Sequence, residues 1–363
     1  MDRISNLPNE LLVKILSFVP TKVAVSTSVL SKRWERLWMG VPKLDCGHID
    51  EPEIRDFICK NLPLRAPFIE ILCLENFQPF QFEDIKRWVE IAVSHCLREL
   101  SIYFCNYVVP ELILPRSLYT CKSLVILKTE GSGILVDVPP TACLPSLKTL
   151  QLEEVTYSNE DSLRLLLSHC PVLEDLLIRR EDEADKAVIV VIVPSLLRLT
   201  LRNDCCCGHY PSVDGYIIDL SVMQNIVKLL EQCTHVKRLS LRELCSGEDE
   251  HKYRSGIVFN RLEYLKLCIC NDNWSKLLVW LLRNSPKLRV LNLYVESYPP
   301  YEEYVRIRWK NKRSFVPECL RTSLETLKFV GYIGRPEERD FLSFIFKHAR
   351  CLKSISIGDY VRR

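Results

Sequence analysis

Cys205-Cys206-Cys207 with His209 brings four metal-ligating side chains into five residues. A structural zinc site takes four ligands, usually as two spaced pairs. Cys268 and Cys270 are candidates for a second pair, but the apolar pattern of their own segment explains one of them. An ordinary loop is the expected reading, and no metal is assigned. Two His-Cys steps, His95-Cys96 and His169-Cys170, set an imidazole next to a thiol. A cysteine nucleophile also needs a base and an oxyanion site, and no such constellation accompanies them. Both steps precede segments of one apolar pattern, so helix ends are expected there instead. The chain has eleven glycines and no G-x-G-x-x-G or phosphate-loop motif, and Gly131-Ser132-Gly133 reads as a turn. No catalytic residue and no cofactor are assigned, and the chain is not expected to be an enzyme.

The basic run RIRWKNKR (306–313) is the best nucleic-acid signal, because Trp309 interrupts the charges and offers a ring for base stacking. Its neighbour, 298–304, is aromatic and carries Glu302 and Glu303, so a solvated loop is the preferred reading, and any function it has is expected to be contact with an acidic substrate peptide. The whole chain sets 49 basic against 46 acidic side chains, a formal charge of +3, which exerts no general pull toward nucleic acid or membrane. Nucleic acid is therefore not the expected partner.

Length and composition fit two or more domains or one elongated repeat domain, with 47% apolar and 26% charged residues in 363. Met1-Asp2-Arg3 runs into a proline-bearing helix start without the apolar core of a signal peptide. The longest apolar runs, AVIVVIV (187–193) and LLVWLL (277–282), are too short to cross a bilayer, so no membrane partner is expected. The expected location is intracellular, nucleus and/or cytoplasm, with the seventeen cysteines reduced and many of them serving as small buried hydrophobes.

The elements that would position any site repeat along the chain. Leu-x-x-Leu-x-Leu, with other aliphatics allowed, recurs at 69–74, 97–102, 124–129 (weak), 147–152, 173–178, 196–201, 236–241, 262–267, 288–293, 324–329 and 352–357, eleven copies in all. Segments such as NEDSLRLLLSHCP and DNWSKLLVWLLRNSP precede several copies with helical spacing, and Pro171 and Pro286 end two of those helices. Each unit reads as a helix, a turn and a short strand that cannot bury its apolar face alone, so neighbours must stack. The interval from Leu196 to Val236 is unusually long, consistent with one degenerate or missing repeat near 215–225.

In each strand the leucines turn to the core and the residues flanking the middle one turn out. The outward set carries Arg198, Arg238, Lys128, Lys266 and Lys328 against Glu99 and Asp175, with Tyr264 among them. That face is mildly basic, suited to a protein or a small anion. Arg198, Arg238, Tyr264, Lys266 and Lys328 are the candidate substrate-binding residues.

At the N-terminus, LPNELLVKILSFVPTKVAVSTSVLSKRWERLW (7–38) predicts three short helices. Pro8 suits a first helical turn, Thr21 is placed to cap the second helix, and Ser31 the third, which carries Trp34, Leu37 and Trp38. Leu11, Ile15 and Val19 share a stripe flanked by Leu12, Leu16 and Phe18. Such short helices cannot bury all of this apolar surface among themselves.

This run resembles an F-box in Leu7-Pro8, Glu10-Leu11-Leu12, Ile15-Leu16, Leu30-Ser31-Lys32-Arg33-Trp34 and Leu37-Trp38. The segment 316–357, with Gly331-Tyr332, Gly334, Glu337-Glu338 and Ala349 before Leu352-Lys353, is similar to the C-terminal FBD region of plant F-box/FBD/leucine-rich-repeat proteins. The resemblance implies an α/β chain: a three-helix F-box (1–45), a helical linker (46–66), leucine-rich repeats (67–315) forming a curved parallel sheet inside with helices outside, and an FBD-like region (316–363) completing the solenoid. It also implies a Skp-type adaptor as partner, through it cullin and RING subunits, and a protein substrate held by the repeats. Adaptor contact is expected from Leu7, Pro8, Leu11, Ile15, Leu16, Leu30, Trp34 and Trp38. Their pattern leaves open which of them form the module's own core. A predicted helix at 53–61 would stiffen the link. The alternative is a leucine-rich-repeat scaffold or ligand-binding protein without ligase association, whose N-terminal helices cap the solenoid.

Overall fold

The computed structural model describes residues 4, 6–45, 60–62, 69–76, 82–104, 112–131, 133–159, 161–181, 190–204, 229–242, 256–269, 274–295, 316–332, 334 and 336–358. The chain divides into two compact units, Met1–Leu173 and Glu174–Arg363.

The first unit begins with α1 (Asn9–Leu16) and α2 (Thr21–Ser26). Pro8 precedes α1 with an extended ψ of 153°, and its carbonyl accepts from the Leu11 and Leu12 amides. The third predicted helix does not form. Short 3-10 turns at Thr27–Val29 and Leu37–Gly40 take its place, and the Trp34 amide closes a turn on the Ser31 carbonyl. Apolar spacing of i, i+3 and i+4 is met by these turns as well as by a helix, which is why the pattern misled. Thr21 does not cap α2 either: its Oγ1 accepts the Asp45 amide at 2.8 Å.

That bond ties the helical module to β1 (Lys43–Asp45), a strand that the repeat pattern omits. β1 pairs in parallel with β2 (Ile71–Asn76), and the order continues through β3 (Glu99–Phe104), β5 (Ile126–Glu130) and β7 (Thr149–Glu153). A second parallel sheet joins β4 (Leu112–Ile113), β6 (Ile134–Val136) and β8 (Thr156–Tyr157). Helices α3 (Phe82–Ser94) and α4 (Ser162–Ser168) precede β3 and close the unit. Between β5 and β7 the described residues hold no α-helix, so the expected helix–turn–strand unit is not uniform. Gly131, with φ of 136°, turns the chain between β5 and β6, and a residue with a Cβ would be strained there.

The second unit is one parallel series: β9 (Asp175–Glu181), β10 (Arg198–Asp204), β11 (Arg238–Arg242), β12 (Tyr264–Ile269), β13 (Val290–Val295), β14 (Thr326–Val330) and β15 (Ser354–Gly358). Helices among its described residues include α5 (Trp274–Arg283), α6 (Glu318–Thr322) and α7 (Pro336–His348), and residues 229–232 are helical as well. Arg198 pairs directly with Arg238, so the long interval between them inserts no strand into the sheet. Residues 215–225 and the 53–59 part of the predicted linker helix lie outside the described residues.

One backbone device repeats in both units. At many strands of the large series the two opening amides donate to a single carbonyl of the neighbouring strand's entry: Arg98 and Glu99 to Glu70, Lys148 and Thr149 to Val125, Lys237 and Arg238 to Leu197, Glu263 and Tyr264 to Lys237. This fixes register strand by strand. The middle leucines, such as Leu100, Leu150, Leu199, Leu239, Leu265, Leu291 and Leu327, are fully buried, each contributing roughly 1.5–3 kcal/mol. The weak third copy ends in Thr129 instead of an aliphatic residue; it too is buried, and its hydroxyl donates to the Gln151 carbonyl.

Candidate functional site

The N-terminal module has a filled core and an apolar exterior. Leu12, Leu16, Ala24, Trp34, Leu37, Trp38 and Val41 form the core, with Leu7, Val13, Val19, Val25 and Met39 packed against it. On α1 the two apolar stripes part: Leu12 and Leu16, four residues apart, face in, while Leu11 and Ile15 are 47% and 45% exposed. Phe18 (81%), Val23, Val29 (88%) and Leu30 (65%) are exposed too.

This sorts the eight expected adaptor contacts. Leu16, Trp34 and Trp38, at 3%, 7% and 4% exposure, lie in the module's own core. Leu11, Ile15 and Leu30 stay on the surface, Pro8 is exposed at the head of α1, and Leu7 is half-buried. Phe18, Val23 and Val29 are exposed too, and they stand outside the eight expected contacts. Their signal was present in the surplus of apolar residues over what so small a core can hold.

Arg33 fixes how Leu7 and Pro8 are presented. Its Nε donates to Asn9 Oδ1 at 2.9 Å, and one Nη donates to the Leu7 carbonyl. Gly40 lies against Val13, where an added Cβ would meet a methyl carbon at 3.3 Å.

In the second unit the outward side chains of the sheet fall into two groups. Arg198 donates from Nε to Asp175 Oδ2 at 2.8 Å across one strand pair, so its charge is met on the protein. Three cations on β11–β14 meet rings instead. The Arg238 guanidinium lies 4.5 Å from the centre of Tyr264, Lys266 Nζ lies 4.4 Å from the centre of Tyr294, and Lys328 Nζ lies 5.8 Å from that same centre. Such contacts are attractive through the ring quadrupole. Asn292 Nδ2 donates to Tyr264 Oη at 2.8 Å and anchors the ring. The structure therefore groups Arg238, Tyr264, Lys266 and Lys328 and separates Arg198 from them. Tyr294 and Asn292 join the group. Tyr294 was missed as a site residue because the leucine pattern ends at Leu293, whereas the strand runs on to Val295.

The His-Cys steps are helix ends. His95 Nδ1 lies 2.7 Å from the Ile91 carbonyl and His169 Nδ1 2.7 Å from the Leu165 carbonyl, each beside the preceding serine hydroxyl. Cys170, Cys233 and Cys319 are buried, and burial pushes each thiol up to about 12. A thiol in that state is no nucleophile near neutral pH. Among the described residues no group of three His, Cys, Asp or Glu is arranged to hold a metal. Cys205, Cys206, Cys207, His209 and the 306–313 run lie outside the described residues. No helix among the described residues is long and apolar enough to cross a membrane.

A two-helix apolar module joined by its own strand to a ladder of parallel Leu-x-x-Leu-x-Leu strands defines an F-box protein with leucine-rich repeats. Three family models match in that order: the F-box domain over residues 4–45, "FBD-associated F-box protein At5g56370, LRR repeats" over 85–214, and FBD over 311–357. FBD-associated F-box protein At5g60610 of Arabidopsis thaliana is 57% identical over 388 aligned positions, covering 99% of this chain and all of the relative. FBD-associated F-box protein At4g10400 of the same plant is 44% identical, covering the whole chain and 94% of the relative. The chain belongs to the FBD-associated F-box family.

Proposed function

We propose that this protein is the substrate-recognition subunit of an SCF-type cullin-RING ubiquitin ligase. Leu11, Ile15 and Leu30, together with Phe18 and Val29, bury themselves on a Skp-type adaptor, and Pro8 sets the start of α1. The adaptor bridges to cullin and RING subunits, and the repeats hold a protein substrate. In this reading the chain performs no chemical step. It contributes fixed placement of a substrate lysine, which lowers a barrier through proximity alone.

The observation that carries the reading is the exposed stripe of α1 beside a core that is already complete. A contiguous apolar surface on a folded module marks an interaction site. The test is reconstitution with a Skp-type adaptor and a cullin–RING pair, using wild type and a Leu11→Asp, Ile15→Asp double variant. Capture of cullin by the wild type and its loss in the folded variant are expected; equal capture by both would refute the assignment.

One observation favours the rival scaffold reading. β1 continues the helical module into the sheet and covers the edge of β2, as a cap would. A cap leaves the outer stripe of α1 without a purpose, and the same reconstitution separates the two readings.

A further inference from the structure

In each unit an outward cation of the sheet is met by a carboxylate of the neighbouring strand. Lys128 Nζ sits 3.1 Å from Glu99 Oε1, and Arg198 sits 2.8 Å from Asp175, each across one strand pair. Three outward cations on β11–β14 differ. Arg238, Lys266 and Lys328 make no ion pair among the described residues; tyrosine rings occupy the places where carboxylates stand elsewhere. Lys266 and Lys328 stand two strands apart at matching register, with Asn292 between them, and share the single ring of Tyr294. Two ammonium groups on one ring repel each other, and the ring offsets only part of that. Tyr264 Oη accepts from Asn292, which leaves its own proton to donate.

We propose that this group is a receptor for a phosphorylated serine or threonine on an extended segment of a protein substrate. The inference rests on the reading of the repeats as the substrate surface. A phosphoryl group brings about −1.5 to −2 charges and three strong acceptor oxygens, which matches two lysines plus hydroxyl donors better than one carboxylate does. Arg238 extends the positive surface by one strand, so a second acidic residue near the phosphoryl group is favoured. A nucleic acid fits less well. The group spans four strands, about 14 Å, with three cations, whereas nucleic-acid binding draws on a track of many phosphates.

The test uses the full chain, expressed together with a Skp-type adaptor and purified by a tag on the chain itself. Arrayed oriented peptide libraries with central phosphoserine, phosphothreonine, serine or glutamate serve as probes, alongside a single-stranded RNA. Selective binding of the phosphorylated sets is expected. A Lys266→Gln, Lys328→Gln variant should lose at least ten-fold in affinity, Lys266→Arg, Lys328→Arg should retain most of it, and Arg198→Gln should change it less than two-fold. Equal binding of serine and phosphoserine sets, RNA binding in preference to phosphopeptides, or indifference to the glutamine pair would overturn the proposal. Adaptor retention is scored on the same preparation. A chain that holds the adaptor and ignores phosphopeptides sinks this inference alone, whereas phosphopeptide binding without adaptor sinks the ligase reading alone.

Discussion

Arg33 holds Asn9 across 24 residues of sequence, its Nε donating to Oδ1 at 2.9 Å while one Nη reaches the Leu7 carbonyl. The pair closes the helical module from its far end onto the turn that starts α1. Because the contact is exposed, Arg33→Ala should cost only about 1 kcal/mol of module stability. Its larger effect should fall on adaptor affinity, since the Leu7-Pro8 turn loses its tether. Thermal melting and adaptor titration of the same variant check the two halves separately.

The two stripes of α1 should separate stability from binding. Leu16→Ala opens a cavity in the module core and should cost roughly 2–5 kcal/mol. Ile15→Ala, one residue earlier and 45% exposed, should stay within about 0.5 kcal/mol. Chemical denaturation of both variants reads this directly, and comparable losses in the two would contradict the register of α1.

Gly331 follows β14 with φ of +79°, and an added Cβ there would collide with the Val295 carbonyl. The left-handed conformation alone disfavours a side chain by roughly 1–2 kcal/mol, and the collision adds to it. Gly331→Ala should therefore lower the melting temperature well beyond the effect of Gly358→Ala, whose Cβ would meet nothing within 4 Å.

Burial raises Cys170, Cys233 and Cys319 to about 12 in the folded protein, from an ordinary value near 9. The folded state holds these protons longer than the unfolded state does. Stability is thus fully present below pH 9 and falls as pH rises through the window from 9 to 12, by about 1.4 kcal/mol per unit for each thiol. At pH 8 an alkylating reagent should label exposed Cys96 and Cys143 and spare the three buried thiols until the protein is denatured. Mass spectrometry of labelled peptides decides it; rapid native labelling of Cys233 would contradict its burial.

The repeat ladder was legible because each copy must bury its aliphatics: all eleven strands begin two residues into a Leu-x-x-Leu-x-Leu match. β1 escaped because only Val41 and Leu44 keep the pattern there, in a single copy far from the others. The division of Leu11 and Ile15 from Leu12 and Leu16 was not legible, since both stripes are equally apolar and only the positions of Trp34 and Trp38 decide which one faces in. On the sheet, the pattern named Arg198, Arg238, Lys266 and Lys328 as outward. Which of them a carboxylate neutralises depends on cross-strand register, which emerges only when Asp175 is set beside Arg198.

The measurement that bears most directly on the central claim is co-expression with a Skp-type adaptor, followed by size-exclusion chromatography with light scattering. It should be made on wild type and on the Leu11→Asp, Ile15→Asp variant. A one-to-one complex for the wild type, and a folded monomer free of adaptor for the variant, are the predicted results. A soluble wild-type monomer that never takes up the adaptor would contradict the account and leave the N-terminal helices as a cap on the repeats.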